Sequence, residues 1–497
     1  MGKQFKKEEY RRLTAFFYSL FLPVFITFQV VFLVFSSVTP SEADEVTVSG
    51  LFATVWGDSF TEEPRSNERH FLYSSSGDTL ELIIDPSVAK AAGGLRHLNG
   101  ALVSVTTAAT STPRTNSSSN DVLLVHSLEK LNSTRQNMSL TAATGSQPWV
   151  SIMCKFQDFS TEPKDLLYFK NMYASTAPGL NHYWKQASYN RVNLDGSNAY
   201  GWYVLPHPRS YYIEGGTLNF SKITRDCAGK ADADVYFPAY SGINFMFNYD
   251  LDGYAWGGSQ YLTMDGRTKQ YRVTWEPPWG YSSLTVMTHE MGHGFGMPHS
   301  SGNYGRTYDN VWDVMSDPWT NCGAATDRIY GCLGQHTIGY HRQLAGWLDE
   351  EEIFTYQGDT TTITLERLTL PSSSNYRLAK VPISRDSHYY TVEVRQKVGY
   401  DSKLPADAVI IHEVDELRAN GRDAYLIDID NNGTTGDAGA IWQVGETFAD
   451  YNHSICIAVT AKYGSSHSIT IGCNIAAAAS QPTIQPSLNL LLLQRSP

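Results

Sequence analysis

Apolar and polar residues alternate in short runs from Glu45 to Thr107: EVTVSGLFATVW, HFLYSS, TLELIID and ALVSVTT, with Gly and Asp between them. A period of two with β-branched residues predicts strands, and four such runs predict a small barrel or sandwich. Residues 107–146 are rich in Ser, Thr and Asn and read as a linker. From Trp149 the pattern turns globular. WVSIMCKF predicts a buried strand, and residues 164–189 predict helix on either side of Pro178. VYFPAY, INFMFNYD, YLTM and YRVTWEPPW predict further strands, and residues 336–348 predict a closing helix. Residues 353–475 alternate again in eight short runs, from FTYQ to SITIGC, which predicts a β-sandwich.

One stretch breaks the strand pattern. Leu284, Met287, Met291 and Phe295 recur at three- and four-residue spacing. At about 100° per residue they fall within roughly 80° of one another, a core-facing helical stripe. Ser282 and Ser283 stand where a helix cap is expected. His289 and His293, four apart, fall on the opposite side and can reach one metal ion. Glu290 is angled away from ligation but near enough to hold a water bound to that ion. Gly294, Gly296 and Pro298 end the helix and turn the chain so that His299 can return as a third ligand. Catalytic zinc takes three protein ligands and keeps one position for water.

The residues from His289 to His299, HEMGHGFGMPH, complete H-E-x-x-H-x-x-G-x-x-H at every fixed position and resemble the zinc-binding helix of the metzincin metalloproteases. The resemblance implies a Met-turn beneath the metal, and Met315 in WDVMS matches that role. Within the clan the chain looks most like the gametolysin-like secreted peptidases, which are related to immune inhibitor A. That likeness is carried by YWKQASYNRVNLDG…GWYVLP (Tyr183 to Pro206), YDNVWDVMS (Tyr308 to Ser316) and YYTVEVRQKVGYDSKLPADAVIIHEVD (Tyr389 to Asp415), and covers about residues 147–475. Two positions depart from related patterns. Gametolysin-type motifs can begin with Gln where this chain has His289. Astacin-like enzymes place a Tyr two residues after the Met, where this chain has Asp317. Tyr308 and Trp312 are expected either to line the cleft or to fill core. His336 and His341, outside the motif, are expected to be surface or packing residues.

Composition narrows the setting. The net charge is −12 and no basic block follows the first twelve residues, which argues against nucleic acid as a partner. Lys3, Lys6, Lys7, Arg11 and Arg12 precede an apolar run from Leu13 to about Phe35. That is a secretory signal, with Ser41-Glu42-Ala43 offering a cleavage site, or an uncleaved anchor that tethers the chain to a membrane. Six cysteines fit an oxidising compartment. Pairing by proximity gives Cys154–Cys227, Cys322–Cys332 and Cys456–Cys473, one of fifteen arrangements. No Cys precedes Cys154, so no pro-segment thiol is available to cap a metal. N-x-S/T sequons lie at Asn116, Asn132, Asn137, Asn219, Asn432 and Asn452. Asp428, Asp430 and Asn432 resemble the opening of a calcium loop. The position that would supply the closing Glu is Gly439, and an Asp/Asn/Gly turn needs no metal.

The expectation is a multidomain α+β chain. It comprises a signal peptide or anchor (1–43), a small β domain that could be a pro-domain (44–106), the linker (107–146), a metzincin-like catalytic domain of mixed sheet and zinc-binding helix (147–350), a β-sandwich (351–475) and a low-complexity tail (476–497). The function expected is a secreted zinc endopeptidase, with Zn²⁺ on His289, His293 and His299 and Glu290 as general base. Its substrate would be protein or peptide; extracellular glycoprotein or matrix is what the resemblance implies. The rival readings are a catalytically silent, zinc-holding adhesion protein and a membrane-anchored ectoprotease.

Overall fold

The computed structural model describes residues 45–60, 64–74, 78–108, 121–131, 143–322, 326–418 and 420–473. The expected signal or anchor, its Leu13–Phe35 run, the tail and the sequons at Asn116, Asn132 and Asn137 lie outside the described residues. Among the described residues no helix is long and apolar enough to cross a membrane.

The N-terminal runs fold as expected into strands: β1 (Glu45–Ser59), β2 (Arg65–Ser74), β3 (Thr79–Ile84) and β4 (Leu102–Ala108). They are joined by β5 (Asp121–Val125) and β6 (Ser127–Lys130), inside the stretch expected to be linker. The short apolar run DVLLV supplies buried Leu123 and Val125 there, which the surrounding polarity conceals. Phe52, Leu72, Leu80, Leu82, Val103 and Leu128 give these strands a small core of their own.

The next layer holds β7 (Trp149–Lys155), the helices α1 (Leu166–Met172) and α2 (Leu180–Ala187), β8 (Asn198–Val204), α3 (Phe220–Ala231), β9 (Gly242–Phe247), β10 (Ala255–Met264) and β11 (Arg267–Glu276). VYFPAY is not a strand. Pro238 cannot donate to a ladder, and Phe237–Ala239 forms a 3₁₀ turn instead. The sheet order is β8-β7-β9-β11-β10-β1-β2-β3-β5. β7, β8, β9 and β11 run parallel, whereas β10 is antiparallel to β11. β1 adds to the outer edge of β10, antiparallel, pairing Val55 with Gly258 and Asp58 with Ala255. The N-terminal strands thus continue the same sheet as β7 to β11.

The motif helix α4 spans Leu284–Gly294. Leu284, Met287, Met291 and Phe295 enter one core with Trp149, Trp184 and Met315, as their spacing predicts. Ser283 holds the N-cap position without a side-chain bond, and the Ser282 hydroxyl donates to the Pro278 carbonyl instead. The closing helix α5 is shorter than expected, Gly339–Leu344.

β12 (His299–Gly302) leaves the first sheet. It pairs in parallel with β18 of the C-terminal region, where β13 (Ile353–Thr355), β14 (Thr361–Glu366), β15 (Leu378–Arg385), β16 (His388–Arg395), β17 (Ala408–Asp415) and β18 (Arg422–Leu426) are followed by β19 (Thr447–Asp450), β20 (Ile455–Tyr463) and β21 (Ser466–Ile471). Two sheets, β12-β18-β17-β16-β15-β13 and β14-β21-β20-β19, pack around Val381, Val392, Ile411, Ile457 and Ile469, the sandwich the alternation predicts. The disulfides are Cys154–Cys227, Cys322–Cys332 and Cys456–Cys473, the pairs that proximity suggests.

Candidate metal centre

His289 and His293 project from α4, one turn apart and fully buried. Each ring is aimed by its other nitrogen. Nδ1 of His289 bonds the Val314 carbonyl at 2.6 Å, and Nδ1 of His293 bonds the Met297 carbonyl at 2.8 Å. A carbonyl only accepts, so both Nδ1 atoms carry a proton, and in the neutral ring Nε2 then carries the lone pair. Gly296 takes φ +87°, and the chain turns back to bring His299 to them. The three Nε2 atoms lie 3.2–3.3 Å apart. That is about the edge of a tetrahedron with metal–nitrogen bonds of about 2.05 Å.

A fourth group closes the set. Asp58, at the end of β1, is fully buried. Its Oδ1 lies 2.7 Å from Nε2 of His299, and its Oδ2 lies 3.2 Å from Nε2 of both His289 and His293. Buried lone pairs and a carboxylate that converge repel one another unless a proton or a cation lies between them. Burial pushes the His293 imidazole down to about 3, so a second proton on that ring is a poor source of that charge. The Asp58, His289, His293 and His299 side chains could therefore hold a metal ion.

Glu290 is fully buried beside this centre, and neither carboxylate oxygen has a hydrogen-bond partner among the described residues. Burial, then the charges of Asp58 and Glu276, hold its carboxyl well above the usual range. Met315 lies beneath the helix. A Cβ on Gly292 would meet its sulfur at 2.3 Å, so only glycine lets the two approach. Buried Asp313 fixes that loop: it accepts from the Met315 backbone at 3.1 Å, from Ser300 beside His299 at 2.7 Å and from Thr337 at 2.8 Å, and it meets His341 at 3.1 Å. His341 and His336 are thus packing residues; His336 bonds Gln186 at 2.8 Å. Trp312 is core, its indole donating to the Thr435 carbonyl. Tyr308 is at the centre, its hydroxyl 2.5 Å from Asp58 Oδ1.

Sequence reasoning missed Asp58, because nothing in WGDSF marks it. The available signal was an acid on a strand whose neighbours are all buried. Asp317, lacking the Tyr of the astacin pattern, caps the turn at Trp319 and Thr320. Asn219 is buried as the cap of α3, its side chain accepting from Lys222 and donating to Glu214, whereas Asn432 and Asn452 are exposed.

The second expected metal site is rearranged. Asp428, Asp430 and Asp437 bring carboxylate oxygens together. Asn432 does not join them as an oxygen donor. Its amide donates to Asp430 at 3.1 Å and Asp437 at 2.7 Å, while its oxygen accepts from Thr434.

Comparison with models of known protein families finds no match, and searches of curated proteins and of solved structures find none either.

Proposed function

We propose that this chain is a zinc-dependent endopeptidase of the metzincin type, acting outside the cytosol on protein substrates. The observation that carries the reading is the convergence of three imidazole Nε2 atoms beside a buried Glu290 that has no hydrogen-bond partner among the described residues. The three disulfides agree with an oxidising compartment.

His289, His293 and His299 would hold the ion, which in such a site brings a bound water towards neutral pKa and polarises the scissile carbonyl. Glu290 takes the proton of the attacking water and passes it to the departing amine. Its raised proton affinity suits that exchange. The Tyr308 hydroxyl can donate to an oxygen standing where Asp58 Oδ1 now stands. The free edge that β10 would offer suits an extended peptide, which adds to a sheet by backbone pairing. The residues set no preference among extracellular glycoprotein, matrix or other protein substrates. The Asp428 cluster is the place where Ca²⁺ would bind.

One observation favours the rival reading of a silent, metal-holding binding protein. Four protein ligands in a buried, closed set are what structural zinc sites have. The two readings separate in one experiment: cleavage of casein by the purified chain, with and without chelator, beside Glu290→Ala. Chelator-sensitive cleavage lost in the variant supports the peptidase. Bound zinc with no cleavage, even after Asp58 is removed, supports the silent protein.

A further inference from the structure

The sequons at Asn219, Asn432 and Asn452 lie within the described residues, and they differ in what each asparagine already does. We propose that Asn452 is a covalent attachment site for an N-linked oligosaccharide, and that Asn219 and Asn432 are not. The proposal rests on the reading that the chain acts outside the cytosol, and adds a modification to it.

An acceptor asparagine must offer its amide nitrogen and keep its place in the fold once a bulky, water-loving sugar stands on it. Asn452 meets both conditions. It sits in the exposed turn 451–454 between β19 and β20, where Asp450 pairs with Ile455. Asp450 holds that turn. Its Oδ1 accepts from the backbone of Asn452 at 3.0 Å and of His453 at 3.3 Å. Its Oδ2 meets His453 Nδ1 at 2.7 Å and accepts from the Tyr390 hydroxyl at 2.9 Å. The Asn452 side chain takes no part, and its amide has no hydrogen-bond partner among the described residues. The hydroxyl of Ser454, the third sequon residue, is exposed and equally unengaged among them.

The other two asparagines are in use. Asn219 is 5 % exposed. Its oxygen caps α3 by accepting from Lys222 at 3.1 Å, and its amide donates to Glu214 at 2.9 Å. The Ser221 hydroxyl of the same sequon is buried as well. A sugar on Asn219 would have to enter the core or pull the cap out of it. Asn432 is exposed, but both of its amide hydrogens are committed, to Asp430 at 3.1 Å and to Asp437 at 2.7 Å. A glycosylated amide keeps one hydrogen, so one of those acids would lose its donor to a sugar ring.

The co-reactant is an oligosaccharide carried on a lipid diphosphate. A bond forms between Nδ2 of Asn452 and the anomeric carbon of the first sugar. The bond from that carbon to the diphosphate oxygen breaks, and the oxygen leaves with the electron pair. Nδ2 gives up one of its two protons.

The test produces the full chain in cultured mammalian cells, which attach such glycans. The secreted protein is treated with a peptide N-glycosidase in water enriched in heavy oxygen, and its peptides are mapped by mass spectrometry. Each glycosylated Asn becomes a heavy Asp, and a sample without the enzyme corrects for spontaneous deamidation. The proposal expects heavy Asp at position 452 on most copies and none at 219 or 432. It also expects Asn452→Gln to lower the intact mass by one glycan and to leave the zinc content as it was. An unlabelled Asn452 in a secreted chain would overturn the proposal while the extracellular reading stands, and so would label at Asn219 or Asn432. A chain that stays in the cytosol with no sequon labelled removes the extracellular reading and the proposal with it.

Discussion

The Asp58–His289–His293–His299 cluster and the Asp428–Asp430–Asp437 cluster each bring ligand atoms within 4.8 Å of one another. The first is fully sheltered and built from a helix, two strand ends and a turn, with two rings aimed by backbone carbonyls. The second lies in a half-exposed loop and satisfies itself locally, with Asn432 and the Gly439 amide bonding the acids. Buried lone pairs need a donor or a cation, whereas acids near water are met by solvent. Identical proximity therefore has different chemical weight in the two places.

The sharpest break in that comparison is His293→Ala. Zinc content measured by elemental analysis is expected to fall from one per chain to near zero, with the Asp428 cluster unaffected. Retention of zinc would place the metal elsewhere. Next, Glu290→Ala is expected to keep its zinc and lose turnover by about 10²- to 10⁴-fold, the usual contribution of a general base. Near-normal casein cleavage would remove Glu290 from that role. A smaller effect is expected from Asp313→Ala, which frees the loop whose Val314 carbonyl aims His289. Zinc affinity, followed by competition with a chromophoric chelator, should weaken by about 10- to 100-fold, as for lost outer-shell support.

The smallest effect belongs to the second cluster. Burial, then Asp430 and Asp437, push the Asp428 carboxyl up to about 7. A carboxyl raised in the folded state is most favourable below its unfolded value and loses that contribution as pH rises to about 7. Without calcium, the melting temperature should therefore decline slightly between about pH 4 and pH 7, and Asp428→Asn should flatten the decline. If calcium binds, it restores the loss in the unaltered chain and not in the variant. An identical pH profile in both chains would exclude Asp428 as the source.

Much of the layer that holds α4 was legible because its signals are local. The stripe Leu284–Met287–Met291–Phe295, the candidate ligands His289, His293 and His299 and the turn at Gly296 follow from spacing, and the disulfides match the pairing by proximity, one of fifteen arrangements. Asp58 was not legible, since it lies 231 residues before His289 and meets it only through the pairing of β1 with β10. A strand edge carries no mark of which strand will cover it. The same holds for β12, whose pairing with β18 ties the third histidine to the C-terminal sandwich. Asn432 failed for a different reason: sequence gives a side chain its donors and acceptors but not which one turns inward.

The most direct test of the central claim is the rate at which the zinc-loaded Asp58→Ala chain cleaves casein, measured beside Asp58→Ala/Glu290→Ala. The account predicts chelator-sensitive cleavage in the first and a loss of at least a hundredfold in the second. Equal rates in the two, or none in the first with zinc bound, would contradict it.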